Sequence, residues 1–275
     1  MAEKIFRRVV LTGAAGRLGT VLRPMLAQLT ETLVVSDRNC PSLPLAPNEL
    51  FVPCDLADHV AVGRLLADAE CIVHFGGEAG ERPFERILPA NIVGQFNIYD
   101  HALRCGVSRI VLASSNHVTG CYPVTQQVVP EMPMRPDSLY AVSKGYGELL
   151  ARFYHDRHGL ESVCLRIGNC TQRPRTPRAL HCWLSHSDLC ELVRCALLAP
   201  RAGFAVVYGV SDNRDRWWGD DDAGRIGFHP RDSSEAFRDE LPASTAPAAI
   251  WQGGSTSGID YRYPETLPPE GHQGR

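Results

Sequence analysis

A short apolar run from Val9 to Thr12 leads directly into Gly13-Ala14-Ala15-Gly16-Arg17-Leu18-Gly19, and an amphipathic stretch from Leu18 to Leu29 follows. Glycines at this spacing between a buried strand and a helix leave few folds open, because strand, tight turn and returning helix are the opening of a parallel α/β unit. The pattern recurs. Strands are predicted at Thr32 to Ser36, Leu50 to Pro53 and Cys71 to Phe75, separated by a proline-rich loop (Pro41, Pro44, Pro47) and a helix from about His59 to Asp68. A long helix is predicted over Ile87 to Cys105, with Ile92, Phe96 and Tyr99 on one face, and then a strand from Ser108 to Ala113. Asp137 or Ser138 caps a helix running to about Arg157, and Ser162 to Ile167 is the sixth strand. After Gly168 the alternation weakens into a loop over the carboxyl ends of the strands. It resumes with a helix near Ser187 to Leu198 and a strand at Phe204 to Tyr208. Beyond Trp217 one short helix is predicted near Ser233 to Arg238, and the tail from Pro242 reads as irregular, ordered only by packing on the body or across a subunit interface. The fold class is α/β: a Rossmann-like doubly wound parallel sheet with small C-terminal excursions.

Composition narrows the partners. With 44% hydrophobic residues, a chain of 275 can bury one sizeable core. Acidic residues number 31 against 28 basic ones, with no long block of like charge, so no nucleic-acid footprint is expected. The apolar run after Arg7 and Arg8 is too short for a secretory signal or a membrane span, and a cytoplasmic location is expected. Ten cysteines are scattered singly among apolar neighbours, which suits reduced thiols better than a disulfide framework. His117, His181 and His186 share no ligand-like spacing, so no metal is called for, and Cys170 and Cys182 are expected to be structural because no base can be placed beside either.

The glycine segment is a candidate dinucleotide site. Gly13 allows the tight turn, Gly16 lets the backbone approach a pyrophosphate, and Gly19 permits close packing of the helix, with Arg17 and Leu18 carried between them. The helix N-terminus supplies free N–H groups for phosphate oxygens. Asp37, at the end of the second strand, can accept both hydroxyls of an adenosine ribose and would repel a ribose phosphate, which favours NAD over NADP. Neighbouring Arg38 could clamp such a phosphate. Asp55 either meets the adenine amino group, with Leu56 beside the ring, or caps the helix that begins near His59. Gly76 and Gly77, after the fourth strand, let the chain pass close to the cofactor.

Tyr140 and Lys144 lie four apart on one helix, so their side chains share a face. Ser115, between Ser114 and Asn116, ends the fifth strand just upstream. Tyrosine is a poor base at neutral pH unless positive charge lowers its pKa. Lys144, the helix N-terminus and an oxidised nicotinamide are all expected to do so. Tyr140 is therefore the candidate general base for hydroxyl oxidation, Lys144 the residue that lowers its pKa and orients the ribose, and Ser115 the hydrogen-bonding partner of the substrate hydroxyl. Arg173, Arg175 and Arg178 lie in the loop over the active end of the sheet, where a guanidinium fork could grip a carboxylate, although composition alone favours a solvated basic loop.

Through TGAAGRLG (12 to 19), Ser115 and YAVSK (140 to 144), the chain resembles the extended short-chain dehydrogenase/reductase superfamily. More narrowly it resembles the uronate dehydrogenases, on LTGAAGRLG, CDLAD (54 to 58), VHFGG (73 to 77), PFERIL (83 to 88), ASSNHVTGCYP (113 to 123), RPDSLYAVSKGYGE (135 to 148), RIGNCT (166 to 171) and WLSHSD (183 to 188). The resemblance implies oxidation of the cyclic form of D-glucuronate or D-galacturonate at C1 with NAD, giving an aldaro-lactone. It implies that Ser115, Asn116 and His117 line the sugar, that Tyr140 takes the C1 hydroxyl proton and that Arg178 holds the C6 carboxylate. Asn169 stands in the same pocket where the family usually has serine, and Ala79 replaces another pocket serine, so both change hydrogen-bonding groups near the sugar. Pairing into at least a dimer, through the helices containing Ile92 to Tyr99 and Tyr146 to Phe153, is implied as well. The alternatives are a nucleotide-sugar epimerase or dehydratase, another sugar dehydrogenase, or a non-catalytic NAD-sensing protein, which would have no need of Ser115, Tyr140 and Lys144 together. The expected organisation is a single domain over 1–275, with the cofactor-binding core at about 1–168 and substrate-binding parts at about 169–275.

Overall fold

The computed structural model describes residues 4–241 and 250–257. Seven parallel strands form one sheet: β1 Phe6–Thr12, β2 Thr30–Asp37, β3 Glu49–Pro53, β4 Cys71–His74, β5 Arg109–Ser115, β6 Glu161–Ile167 and, last in the chain, Phe204–Gly209. The short pair β7 Asn169–Cys170 and β8 Trp183–Leu184 stands apart, which makes the seventh sheet strand β9. The order is β3-β2-β1-β4-β5-β6-β9, so the chain reverses its direction of travel between β1 and β4 and opens a crevice at the carboxyl ends of those strands.

Side chains alternate across this sheet with a period of two, and its strands are apolar at both sets of positions because helices cover both faces. Val10, Val34, Ile72 and Ile110 join one buried cluster, while Leu11, Val35, Val73 and Val111 join another. The first is covered by α2 His59–Leu65, α4 Gly94–Arg104 and α5 Leu139–His158, and the second by α1 Arg17–Leu29 and α7 His186–Leu198. A third cluster, with Tyr122, Val128, Trp217 and Trp218, includes Tyr208 of the edge strand β9. No helix among the described residues is long and apolar enough to cross a membrane, and all ten cysteines are free thiols.

Several expectations are corrected. The helix from His59 ends at Leu65, three residues early, and Asp68 then takes a positive φ of 59° in the turn. The long helix starts at Phe84 rather than Ile87, as α3 Phe84–Ile87, and widens into a π-helical turn over Leu88–Val93 before α4. Pro89 has no N–H to give to the helical ladder, and π-turns occur where such a ladder is interrupted. Ile92, Phe96 and Tyr99 do not share a buried face: Tyr99 is fully buried, whereas Phe96 is 44% exposed. The buried stripe of α4 runs instead through Gln95, Ile98, Tyr99 and Ala102. The loop after Gly168 holds β7, a single turn α6 Ala179–Cys182 and β8, and the region beyond Trp217 holds α8 Ala223–Ile226 in addition to the expected helix, a 3-10 segment at Ser234–Glu240. Of the tail, 242–249 and 258–275 lie outside the described residues. The part between them packs on the body, where Trp251 bridges to Pro123 and a 3-10 turn covers Gly254–Ser257.

Candidate active site

A cleft of about 840 Å³ opens at the carboxyl ends of β1, β4 and β5. It brings together the residues given a cofactor, catalytic or sugar-binding role from the sequence: the glycine loop with Arg17 and Leu18, Asp37, Asp55, Leu56, Gly76, Gly77, Ser115, Asn116, His117, Tyr140, Lys144, Asn169 and Arg178. Ala79 lines it too. Arg173 does not, since it pairs with Glu240 at the surface, so only one of the three loop arginines reaches the cleft.

At the glycine loop, Gly13 has φ +72°, and a Cβ there would lie 2.5 Å from the Phe75 carbonyl oxygen. A Cβ on Gly19 would lie 2.1 Å from the Gly13 carbonyl oxygen, so the start of α1 packs directly on the turn. Asp37 Oδ2 accepts from Ala15 N–H at 3.1 Å and Oδ1 from Arg38 N–H at 2.7 Å, which seats the carboxylate against the loop. Arg38 itself faces Glu78 at 3.4 Å. The cap of α2 is Asp58, which accepts from Ala61 N–H at 2.9 Å, whereas Asp55 accepts from Ala57 N–H at 3.0 Å and stays at the cleft. Of the two roles open for Asp55, the helix cap thus falls to Asp58. A cradle of this kind, backbone with no room for side chains beside a fixed carboxylate, fits a dinucleotide.

At the other end, Ser138 is the cap of α5, accepting from Ala141 N–H at 3.1 Å, and places Tyr140 and Lys144 facing the cleft. Lys144 Nζ donates to the Ala113 carbonyl at 2.9 Å and lies 5.6 Å from the Tyr140 ring centroid. The electrostatics differ from expectation. Burial pushes the Tyr140 hydroxyl up to about 12, a hydrogen bond with Ser115 pulls it down, and the Asp137 charge adds to the rise. Burial also brings Lys144 down to about 8. The helix N-terminus, counted on to supply positive potential, is occupied by Glu81, whose two oxygens accept from Leu139 N–H at 3.1 Å and Tyr140 N–H at 2.9 Å. A carboxylate there offsets the helix dipole where Tyr140 begins to feel it.

Further groups at the site were not found from sequence. His74, buried beside Lys144, is brought down to about 3 and shares a 2.7 Å hydrogen bond with Thr12 Oγ1. Asn91, in the π-turn, donates to Ser143 Oγ at 3.0 Å and accepts from Glu78 N–H at 2.8 Å, tying the loop after β4 to α5. Pro89 was the available signal for that turn. Asp137, considered as a helix cap, instead accepts from His117 Nδ1 at 2.6 Å. Burial pushes both the Cys170 and Cys182 thiols up, so neither is a ready thiolate.

Arg178 is held from below. Its Nε and Nη2 donate to the Gln252 carbonyl at 3.0 and 2.6 Å, Nη1 points at Cys182 Sγ at 3.2 Å, and the guanidinium lies 5.6 Å from the Trp217 ring centroid. With the Nε edge of the fork engaged, the remaining N–H groups on Nη1 and Nη2 form the edge that can take a carboxylate end-on.

Comparison with known proteins places this geometry. The sequence matches the model of the NAD dependent epimerase/dehydratase family over residues 9–176. It is 46% identical to the uronate dehydrogenase of Pseudomonas putida over 261 residues, which cover 93% of this chain and 97% of that protein. The structure is similar to that of a tyrosine-to-alanine mutant of uronate dehydrogenase from Agrobacterium tumefaciens complexed with NAD, with a TM-score of 0.88 and 44% identity over 92% of this chain and 97% of the other. It is also similar to that of a glucuronic acid dehydrogenase from Chromohalobacter salexigens, with a TM-score of 0.90 and 40% identity over 95% and 99% of the two chains.

Proposed function

This chain belongs to the NAD-dependent epimerase/dehydratase family and, within it, to the uronate dehydrogenases, and from that membership we propose that its cleft oxidises D-glucuronate or D-galacturonate at C1 to the aldaro-lactone. The observation that carries the reading is the meeting of Ser115, Tyr140 and Lys144 in one cleft with Arg178, whose outer N–H edge suits a carboxylate. When bound, NAD would supply the acceptor for the C1 hydride and the positive charge of its oxidised ring. Gly13, Gly16, Arg17, Leu18 and Gly19 hold its pyrophosphate, Asp37 its adenosine ribose, Asp55 and Leu56 its adenine, and Gly76 and Gly77 give it room.

Arg178 takes the C6 carboxylate of the sugar, and Asn116, His117 and Asn169 bind along it. Ser115 hydrogen-bonds the C1 oxygen. As the C1–H bond breaks with its electron pair leaving for the cofactor, the C1–O–H proton passes to Tyr140 Oη and the C1=O bond of the lactone forms. Burial, the Glu81 cap and Asp137 work against Tyr140 ionisation and the hydrogen bond with Ser115 favours it, so the positive charge of an oxidised nicotinamide would help to make Tyr140 a base. Lys144 contributes by orienting the ribose and by its remaining charge.

The exposed apolar residues Phe96 and Leu103 on α4 and Leu149 and Phe153 on α5 suit pairing of two copies, and the free thiols suit the cytoplasm. The test of the activity is NADH absorbance from NAD with galacturonate or glucuronate. No absorbance rise with any of a broad set of sugar acids, or conversion of a nucleotide sugar without net NADH, would sink the reading.

A further inference from the structure

Asp137 sits one residue before the cap of α5, with no exposed side-chain surface. Its Oδ2 accepts from His117 Nδ1 at 2.6 Å, and its Oδ1 accepts from Ser138 Oγ at 3.0 Å. Ser257 Oγ stands 3.1 Å from both Asp137 Oδ2 and the Gly120 carbonyl, so its one proton serves two acceptors. Two glycines from distant parts of the chain make room for this carboxylate. A Cβ on Gly120 would lie 2.0 Å from Asp137 Oδ2, and a Cβ on Gly253 would lie 1.9 Å from it.

A carboxylate oxygen can only accept, so the hydrogen between Asp137 and His117 resides on Nδ1. In the neutral ring the lone pair is then on Nε2, on a side chain that lines the cleft. Resting on the uronate dehydrogenase reading above, we propose that Asp137 is a positioning residue for sugar binding: it holds His117 as the Nδ1–H tautomer, so that Nε2 accepts a hydrogen bond from a ring hydroxyl of the uronate. The segment 250–257 is part of the same device. Its Ser257 docks on Asp137 at the hydroxyl-reading side, its Gln252 carbonyl takes Arg178 at the carboxylate-reading side, and its Thr256 lines the cleft between. One stretch of backbone thereby sets the two polar readers of the sugar relative to each other.

The alternative is that Asp137 merely plugs the junction of α5, Gly120 and Gly253. A double-mutant cycle separates the two. NADH formation from a uronate by the wild type first settles the reading on which the proposal rests. With that established, KM for the uronate and Kd for NAD are measured on Asp137→Ala, His117→Ala and the double variant. The kcat is a poorer readout, because the Asp137 charge also acts on Tyr140. Each single change is expected to raise KM roughly ten- to a hundredfold, the double to be no worse than His117→Ala, and Kd for NAD to stay within about twofold. A full additional loss from Asp137→Ala in the His117→Ala background, or an equal loss in NAD affinity, would overturn the proposal. Asp137→Asn keeps the volume and an acceptor oxygen for His117, so it should fold and hold KM within about threefold of wild type. An Asn variant as poor as His117→Ala would also overturn it.

Discussion

Replacing Arg178 by alanine separates recognition of the substrate carboxylate from the packing of the segment beneath it. In the structure the guanidinium gives two hydrogen bonds to the Gln252 carbonyl, at 3.0 and 2.6 Å, and one from Nη1 to Cys182 Sγ at 3.2 Å, which leaves one N–H on each of Nη1 and Nη2 uncommitted. Truncation therefore has two costs. Stripping the Gln252 carbonyl of its charged donor is worth about 1–3 kcal/mol and loosens residues 250–257, which is felt by any sugar that uses the cleft. Losing a charge-assisted pair to the C6 carboxylate is worth about 2–5 kcal/mol, or roughly 30- to 5000-fold in kcat/KM, and is felt only by a uronate. The assay is kcat/KM for D-galacturonate and for its neutral counterpart D-galactose on wild type, Arg178→Ala and Arg178→Lys. The fall on galacturonate should exceed the fall on galactose by about 30-fold or more, and lysine should recover only part of it, because a point charge cannot reproduce two parallel hydrogen bonds. An equal loss on both sugars would refute carboxylate recognition by this residue and leave Arg178 as an anchor for the tail alone.

Tyr140→Phe removes the proton acceptor and leaves the ring's packing, so kcat should drop by roughly 10² to 10⁴ with NAD affinity nearly unchanged; retention of more than about a tenth of the wild-type rate would show that another group takes the proton. Asp37→Ser should raise KM for NAD, since it also removes the contact with Ala15 N–H, and should raise the ratio of kcat/KM for NADP over NAD. An unchanged ratio would move ribose recognition elsewhere. His74, at about 3 in the folded chain against an ordinary 6.5, favours folding in its neutral form. Its contribution is complete above 6.5; as pH falls below that the unfolded chain takes a proton that the folded one refuses, and stability is lost at about 1.4 kcal/mol per pH unit. Urea midpoints measured from neutral to mildly acid pH should fall less steeply in His74→Asn than in wild type, and parallel slopes would contradict the assignment.

What the sequence determined by itself was whatever a single element encodes. Glycines at 13, 16 and 19 announce a turn between strand and helix because the requirement is local: Gly13 needs its positive φ and Gly19 must let α1 rest on the turn, whatever the remainder of the chain does. Tyr140 and Lys144 share a face because four residues are about one helical turn, and the parallel sheet follows from apolar strands alternating with amphipathic helices. The tertiary structure decided what depends on groups brought together from far apart. Phe96 fits a helical apolar pattern as well as Tyr99 does, yet only the packing of α4 on the sheet shows which of them is buried. The motif around Tyr140 suggested a lowered pKa, but Glu81, 59 positions upstream, occupies the helix N-terminus and burial raises the hydroxyl. Asp137 is equally good as a helix cap on paper, and loses that role to Ser138 because Gly120 and Gly253 close around its carboxylate and His117 is there to be held. Arg178 meets the carbonyl of Gln252, 74 positions away, and so has one edge of its fork engaged. Backbone geometry and periodicity are properties of neighbours in sequence, whereas desolvation, charge and hydrogen-bond partners are properties of neighbours in space.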